Sequence, residues 1–291
     1  MTKYFKRLYT YTLIFFFLIT FFLANVNVSG FNPIYRKFYD NWFNIISYIT
    51  NKTTLNIGDI LYCTLILIIV HFFINIKKNR RRDNIFKIFL FSSIIYSLFY
   101  WSWGFNYKYP KKVEIRNINY TDKKLKETLN YYIHLTNKFH LEITNSKNEI
   151  AKSKLSFSEI GSICKVYFKQ NTKHKNFKIN ESYFSDIISY FGFTGYINPI
   201  SLESNINNNI PKVYLPTTIS HEIAHQIGYS KEDEANFYSI KSTLDSKNNF
   251  IKYSGSFMAL QYLLHELSKI DKDYFDLKIK EINYGILENF N

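Results

Sequence analysis

The segment SHEIAHQIG, at 220–228, holds the residues whose types and spacing are best suited to chemistry. His221 and His225 are four residues apart, so on a helix they share one face and both imidazoles can reach one metal ion. Glu222 lies beside that face, where its carboxylate can take a proton from an activated water and pass it to a leaving amine. The spacing predicts one zinc ion per chain, bound by His221 and His225, with Glu222 as general base.

A hydrolytic zinc site needs a third protein ligand and one position open to water. Glu232 and Asn236 are four residues apart on the next predicted helix, so they offer a carboxylate for the metal and an amide that can orient a ligand imidazole. Glu234 points roughly 200° away from Glu232 around that helix. Glu232 is therefore the predicted third ligand, and Glu234 is the alternative.

The elements that must position these residues are mostly helical. Gly228 is typical of the left-handed position that ends a helix, and Thr121 is a predicted N-cap. Short apolar runs broken by Gly and Pro at 189–215 predict a few strands and turns. Apolar spacing and these end signals predict helices at 122–139, 156–168, 217–227, 230–244 and 254–270.

The motifs also resemble a known family. HExxH followed by E-x-x-A-N is similar to the zinc site of gluzincin metallopeptidases, in which that second motif supplies the third ligand. The interval from His225 to Glu232 is only seven residues, shorter than in familiar gluzincins, and requires a tight turn at Gly228. More narrowly, the chain resembles an uncharacterised family of three-span membrane proteins with a zincin-like domain, catalogued as a domain of unknown function. The segments that carry this resemblance are NIGDILY at 56–62, WGFNY at 103–107, GYINP at 195–199, HEIAHQIGY at 221–229, EDEANF at 232–237 and YSG at 253–255.

Three segments near the N-terminus lack charge for long enough to cross a bilayer, which needs roughly 20 apolar residues. They predict transmembrane helices at about 9–28, 58–77 and 87–107. A cleaved signal peptide is the alternative for the first, but its uncharged run between Arg7 and Arg36 exceeds the usual apolar region of roughly 7 to 15 residues.

The net charge of +14 is concentrated beside these segments. Residues 1–8 hold three basic side chains, and residues 77–87 hold six basic and one acidic. Basic residues flanking apolar spans mark the cytoplasmic side of a membrane. The charge therefore predicts a cytoplasmic N-terminus and a C-terminal domain on the outer face, with the bilayer as partner and no nucleic acid.

Together these features predict an α+β protein of two parts. Residues 1–107 form a membrane anchor of three helices in a multi-pass protein of the cell membrane, and residues 108–291 form a mostly helical zincin-like domain with a small sheet. The resemblance implies a zinc metallopeptidase whose substrate is a peptide or protein.

Two alternatives stay open. The domain can instead be a zinc-stabilised binding or sensor module without turnover, although such a module would not need Glu222. Tyr196 and Tyr253 are candidates for a hydrogen bond to the oxyanion of the reaction intermediate, but in a chain with 25 Tyr a packing role is the better interpretation for each.

Overall fold

The computed structural model describes residues 3–75, 81–109 and 121–290. Over those residues the chain is mostly helical with one small sheet, which confirms the predicted composition of the fold. The helices are α1 Lys3–Asn25, α2 Phe31–Thr50, α3 Ile57–Ile74, α4 Arg81–Ser102, α5 Asp122–Thr144, α6 Phe157–Asn171, α7 Ser185–Tyr190, α8 Leu215–Gln226, α9 Glu232–Leu244, α10 Asn249–Ile270, α11 Lys272–Ile279 and α12 Tyr284–Phe290. Short 3₁₀ turns cover Gly104–Lys108 and Lys212–Tyr214.

Three helices are long and apolar enough to cross a membrane, and they confirm the predicted membrane-length helices with bounds shifted by a few residues. These candidate spans cover Leu8–Asn25 in α1, Ile57–Ile74 in α3 and Asp83–Ser102 in α4. Trp101 donates a hydrogen bond to Thr20 over 3.0 Å, and Phe17 packs on Tyr96. Helices α1 and α4 therefore run parallel, with their C-terminal ends together. The basic segment at 77–87 lies partly outside the described residues.

The sheet has three short strands, β1 Ile179–Glu181, β2 Gly195–Ile197 and β3 Ser204–Ile206, in the order β1-β3-β2. The central strand β3 pairs in parallel with β1 and antiparallel with β2. Ile219 and Ile223 of α8 are fully buried in the same core as Ile206 of β3. Because α8 packs on the sheet through these side chains, β2 lies alongside the helix that carries HExxH.

Helix α2 belongs to the core of the C-terminal part of the chain. Tyr35, Tyr39 and Phe43 are buried, and the Phe43 ring lies 5.9 Å from that of Phe177. The division predicted after residue 107 follows a change in composition, whereas this core contains residues from both sides of it. A second core joins α5, α10 and α12.

Several element boundaries follow the local signals, and others differ. Thr121 caps α5 by accepting a hydrogen bond from the Lys124 amide, as predicted. Helix α9 begins at Glu232, two residues later than expected, because Lys231 is in an extended conformation and takes the N-cap position. Strand β1 and helix α7 are not predicted by the apolar pattern, since they have only three and six residues.

Candidate metal centre

Helix α8 holds both histidines at its buried C-terminal end. The His221 and His225 rings are one turn apart, with centroids separated by 4.6 Å. After Gln226 the chain reverses in a Schellman motif: the amides of Gly228 and Tyr229 bond to the carbonyls of His225 and Ala224. Gly228 has φ +90°, a conformation that favours glycine. This is the tight turn that the short interval to Glu232 requires.

The reversal brings the start of α9 against the histidines. The two carboxylate oxygens of Glu232 lie 3.1 Å from His221 Nε2 and 3.4 Å from His225 Nε2. The three potential ligand atoms are all within 4.8 Å of one another. The hydrogen bond with His221, followed by that with His225, is the main cause that holds the pKa of the Glu232 carboxyl far below its usual range. Two imidazoles and a carboxylate thus converge on one point.

Glu234 does not join this group. It is buried, and its charge adds a minor contribution to the raised pKa of Tyr229, which is caused mainly by burial. Among the described residues, the converging set consists of His221, His225 and Glu232.

Hydrogen bonds fix the orientation of both imidazoles. Nδ1 of His221 lies 2.9 Å from the amide oxygen of Asn236, and Nδ1 of His225 lies 2.6 Å from the carbonyl oxygen of Tyr229. Both partners are acceptors, so each Nδ1 carries a proton, and each Nε2 lies beside Glu232, where it could give its lone pair to a bound metal ion. A neutral imidazole anchored in this way is the usual zinc ligand. The donor set of two nitrogens and one carboxylate oxygen suits zinc with one position left for water.

Glu222 is held next to this cluster and is almost fully buried. A Cβ atom added at Gly195 would lie 3.2 Å from Cγ and Oε1 of Glu222, so glycine allows the carboxylate to rest against β2. Its Oε2 atom is buried and has no hydrogen-bond partner among the residues that the structure describes. Burial raises the pKa of Glu222, and the nearby His225 and His221 act in the opposite direction. A buried carboxylate oxygen needs a further hydrogen-bond partner, and Glu222 lines the cleft, from which one could come.

Residues before position 108 support the end of α8. Its last carbonyls accept hydrogen bonds from Arg36 (to Ile227, 2.8 Å), Tyr39 (to Gln226, 2.7 Å) and Trp103 (to His225, 3.0 Å). These three side chains come from α2 and from the chain just after α4. No motif in the sequence marks these donors, although the spacing of Tyr35, Tyr39 and Phe43 is the pattern of a helix with one buried face.

The cluster opens into a cleft of about 630 Å³. Trp103 and Tyr107 line one side, β2 with the preceding residues 192–194 lines another, and Met258, Gln261 and Tyr262 of α10 contribute to the wall. Among the described residues β2 pairs only with β3, so it is an edge strand that borders the cleft.

The two candidate tyrosines differ in position. Tyr253 is fully buried and its hydroxyl donates to Asn289, away from the cleft. Tyr196 lines the cleft, but its hydroxyl is hydrogen-bonded to Asp59 and lies 2.9 Å from that of Ser182. A third tyrosine, Tyr214, also lines the cleft. Its hydroxyl accepts a hydrogen bond from the side-chain amide of Gln261 over 3.4 Å.

The fold and site define a mostly helical protein with three membrane-length helices and a cluster of two histidines and a glutamate beside a buried second glutamate. The chain belongs to the family described as "Protein of unknown function (DUF3810)", whose profile matches residues 35–291. No curated protein and no solved structure matches the chain at a significant level. The match confirms an uncharacterised family, while the zincin-like fold stays a prediction.

Proposed function

We propose that the chain is a membrane-anchored zinc metallopeptidase that hydrolyses peptide bonds, with one zinc ion held by His221, His225 and Glu232. The observation that carries the proposal is the convergence of three ligand atoms within 4.8 Å, next to the buried carboxylate of Glu222. A metal site alone needs only ligands. A peptidase also needs a base at the same place.

The residues have distinct tasks in this reaction. A zinc ion bound there would lower the pKa of a water molecule and polarise the scissile carbonyl. Glu222 takes the proton of the attacking water and delivers it to the leaving amine. Asn236 and the Tyr229 carbonyl keep each imidazole in the tautomer that presents Nε2.

Strand β2 favours an extended polypeptide as substrate. It is an edge strand along the cleft, one residue of which contacts Glu222. A peptide that adds to such an edge forms backbone hydrogen bonds that do not depend on its side chains. A peptide bound in this way would have a carbonyl close to Glu222 and the proposed metal ligands.

The carboxylate of Glu222, buried beside the three ligands, favours an enzyme over a zinc-stabilised binding module. In a module that only binds metal, a buried carboxylate would lower the stability of the fold without compensation. In an enzyme, the same carboxylate is available to the attacking water.

The full-length protein in detergent provides the test. The wild type should contain about one zinc ion per chain, measured by elemental mass spectrometry, and should cleave a peptide library in a chelator-sensitive manner. Glu222→Gln should keep the zinc and lose at least roughly 10²-fold in cleavage rate, because the amide cannot accept the proton. His221→Ala and His225→Ala should lose the metal. Undiminished hydrolysis by Glu222→Gln would refute the proposed role.

A further inference from the structure

Helix α2 has two apolar surfaces that face different surroundings. One contains Tyr35, Tyr39 and Phe43 and is buried against the domain. The other is exposed. Next to it on the surface of the helix lies a second exposed row of side chains, most of which are polar. The exposed apolar flank consists of Ile34, Phe38, Ile45 and Ile49, and the neighbouring row consists of the polar Lys37, Asn41 and Asn44 together with the exposed Tyr48.

The apolar flank is continuous with the surface of the candidate spans. The Phe38 ring lies 5.8 Å from that of Trp101, in the last turn of the third span. Helix α2 also connects the end of the first span at Asn25 to the start of the second at Ile57. Both of its ends are therefore held at one membrane surface. An amphipathic helix with this placement lies in the interface plane with its apolar face in the lipid.

The domain face of α2 is in direct contact with the metal helix. Arg36 and Tyr39 donate to the carbonyls of Ile227 and Gln226 at the end of α8. Since a helix with its side chains is roughly 10–12 Å wide, lipid against the apolar flank would lie about one helix diameter from His225, in the last turn of α8.

Two walls of the cleft adjoin the other spans. Trp103 follows the third span directly, and its ring centroid lies 6.0 Å from that of His225. Tyr196 of β2 bonds to Asp59 and packs on Tyr62, both in the first turns of the second span. The cleft is thus bounded by the ends of two spans on the side where α2 lies.

We propose that α2 lies flat in the bilayer surface, with its apolar flank among the acyl chains, and that the cleft takes polypeptide segments tethered to the same membrane. The second part names the substrate class and rests on the peptidase function proposed above. A tethered segment is confined to the layer in which the cleft opens, so its local concentration there is far higher than that of a free peptide.

The position of α2 can be measured without any activity. Cys63 and Cys164 are replaced by Ala, single cysteines are introduced by Ile45→Cys and, as matched control, Asn44→Cys, and each is labelled with a fluorophore in full-length protein in phosphatidylcholine–phosphatidylglycerol vesicles. The label at 45 should be quenched by a nitroxide on the lipid chains and not by iodide, and the label at 44 should show the reverse. Quenching at 45 by iodide would overturn the placement. Protection at 45 from both quenchers would also overturn it, and would indicate a second copy of the chain on the flank.

The substrate class is tested in the same vesicles with one fluorogenic peptide library in two forms, free and carrying an N-terminal palmitoyl chain. At equal bulk concentration the tethered form should be cleaved at least about tenfold faster, and only when it shares a vesicle with the enzyme. Equal, chelator-sensitive cleavage of both forms would overturn the tethering inference and leave the peptidase intact. Chelator-sensitive cleavage of neither form would overturn the peptidase and, with it, the tethering inference, whereas the quenching result for α2 would stand.

Discussion

Glu232 and Glu234 differ in what their carboxylates can reach. Glu232 is 72% exposed as a side chain and touches both Nε2 atoms, whereas Glu234 is buried beside Tyr229. A metal would therefore gain a ligand from Glu232 without a change of the α9 backbone. Recruitment of Glu234 would require α9 to rotate.

Replacing one carboxylate at a time should separate the two. Glu232→Gln should lower the zinc affinity by more than about tenfold, since an amide oxygen is a poorer zinc ligand than a carboxylate. Glu234→Gln should change it little. Competition with a chromophoric chelator measures both affinities, and thermal unfolding shows that each variant is folded. The opposite ranking would transfer the ligand role to Glu234.

The parts of the site that could be read from the sequence are those fixed by helix periodicity. The spacings of His221 with His225 and of Glu232 with Asn236 place each pair on one face wherever the helices lie. The hydrogen-bond partner of His225 is the backbone carbonyl of Tyr229, and a residue of any type at that position would carry the same carbonyl. No residue pattern marks such a partner.

At the scale of elements, the end of α8 depends on a helix far away in sequence. The Tyr39 hydroxyl donates to the Gln226 carbonyl over 2.7 Å in a fully buried environment. Helix ends leave carbonyls without intrahelical partners, and a buried carbonyl without a partner lowers the stability of the folded state.

Tyr39→Phe tests this support. The variant keeps the ring and removes the donor, so the free energy of unfolding should fall by about 1–2 kcal/mol. Tyr48→Phe is the matched control, because Tyr48 is on the same helix and exposed, and it should change the free energy little. Chemical denaturation of the full-length protein in detergent compares them. Equal effects of the two substitutions would show that the hydrogen bond does not support α8.

The sequence predicted α8, α9 and the turn at Gly228 because each carries its own local signal. It did not reveal that α2 packs on α8, since the contacts of Arg36 and Tyr39 join residues almost two hundred positions apart. Amphipathic spacing at 31–50 indicates a buried face but not its partner. The change in composition near Tyr107 therefore predicted a domain boundary between two segments that share a core.

For the whole molecule, α8 is supported from the side on which the candidate spans meet the domain. Arg36 precedes the second span, and Trp103 follows the third. A fragment that begins at residue 108 would lack both donors and the buried face of α2. The membrane segments are therefore structural neighbours of the site and more than a tether, and experiments on the site require the full chain.

Helix packing and charge together predict the orientation of the molecule in the membrane. Helices α1 and α4 run parallel, so the segments that begin them would lie on one side of a bilayer and the domain on the other. Both segments on the first side are basic, which favours the cytoplasm. Lys108, Lys111, Lys112 and Arg116 follow the third span and weaken that bias.

A reporter fused after Asn291 should therefore be outside the cell, and one inserted at Asn84, in the first turn of α4, should be cytoplasmic. Reporters whose activity depends on the compartment measure both positions. As a control, replacing the basic residues of 77–82 with Gln should reduce the outside fraction of the C-terminal reporter, because the charge difference that orients the spans would then be small. A cytoplasmic C-terminal reporter in the unmodified chain would refute this orientation, and the cleft would then face substrates at the inner surface of the membrane.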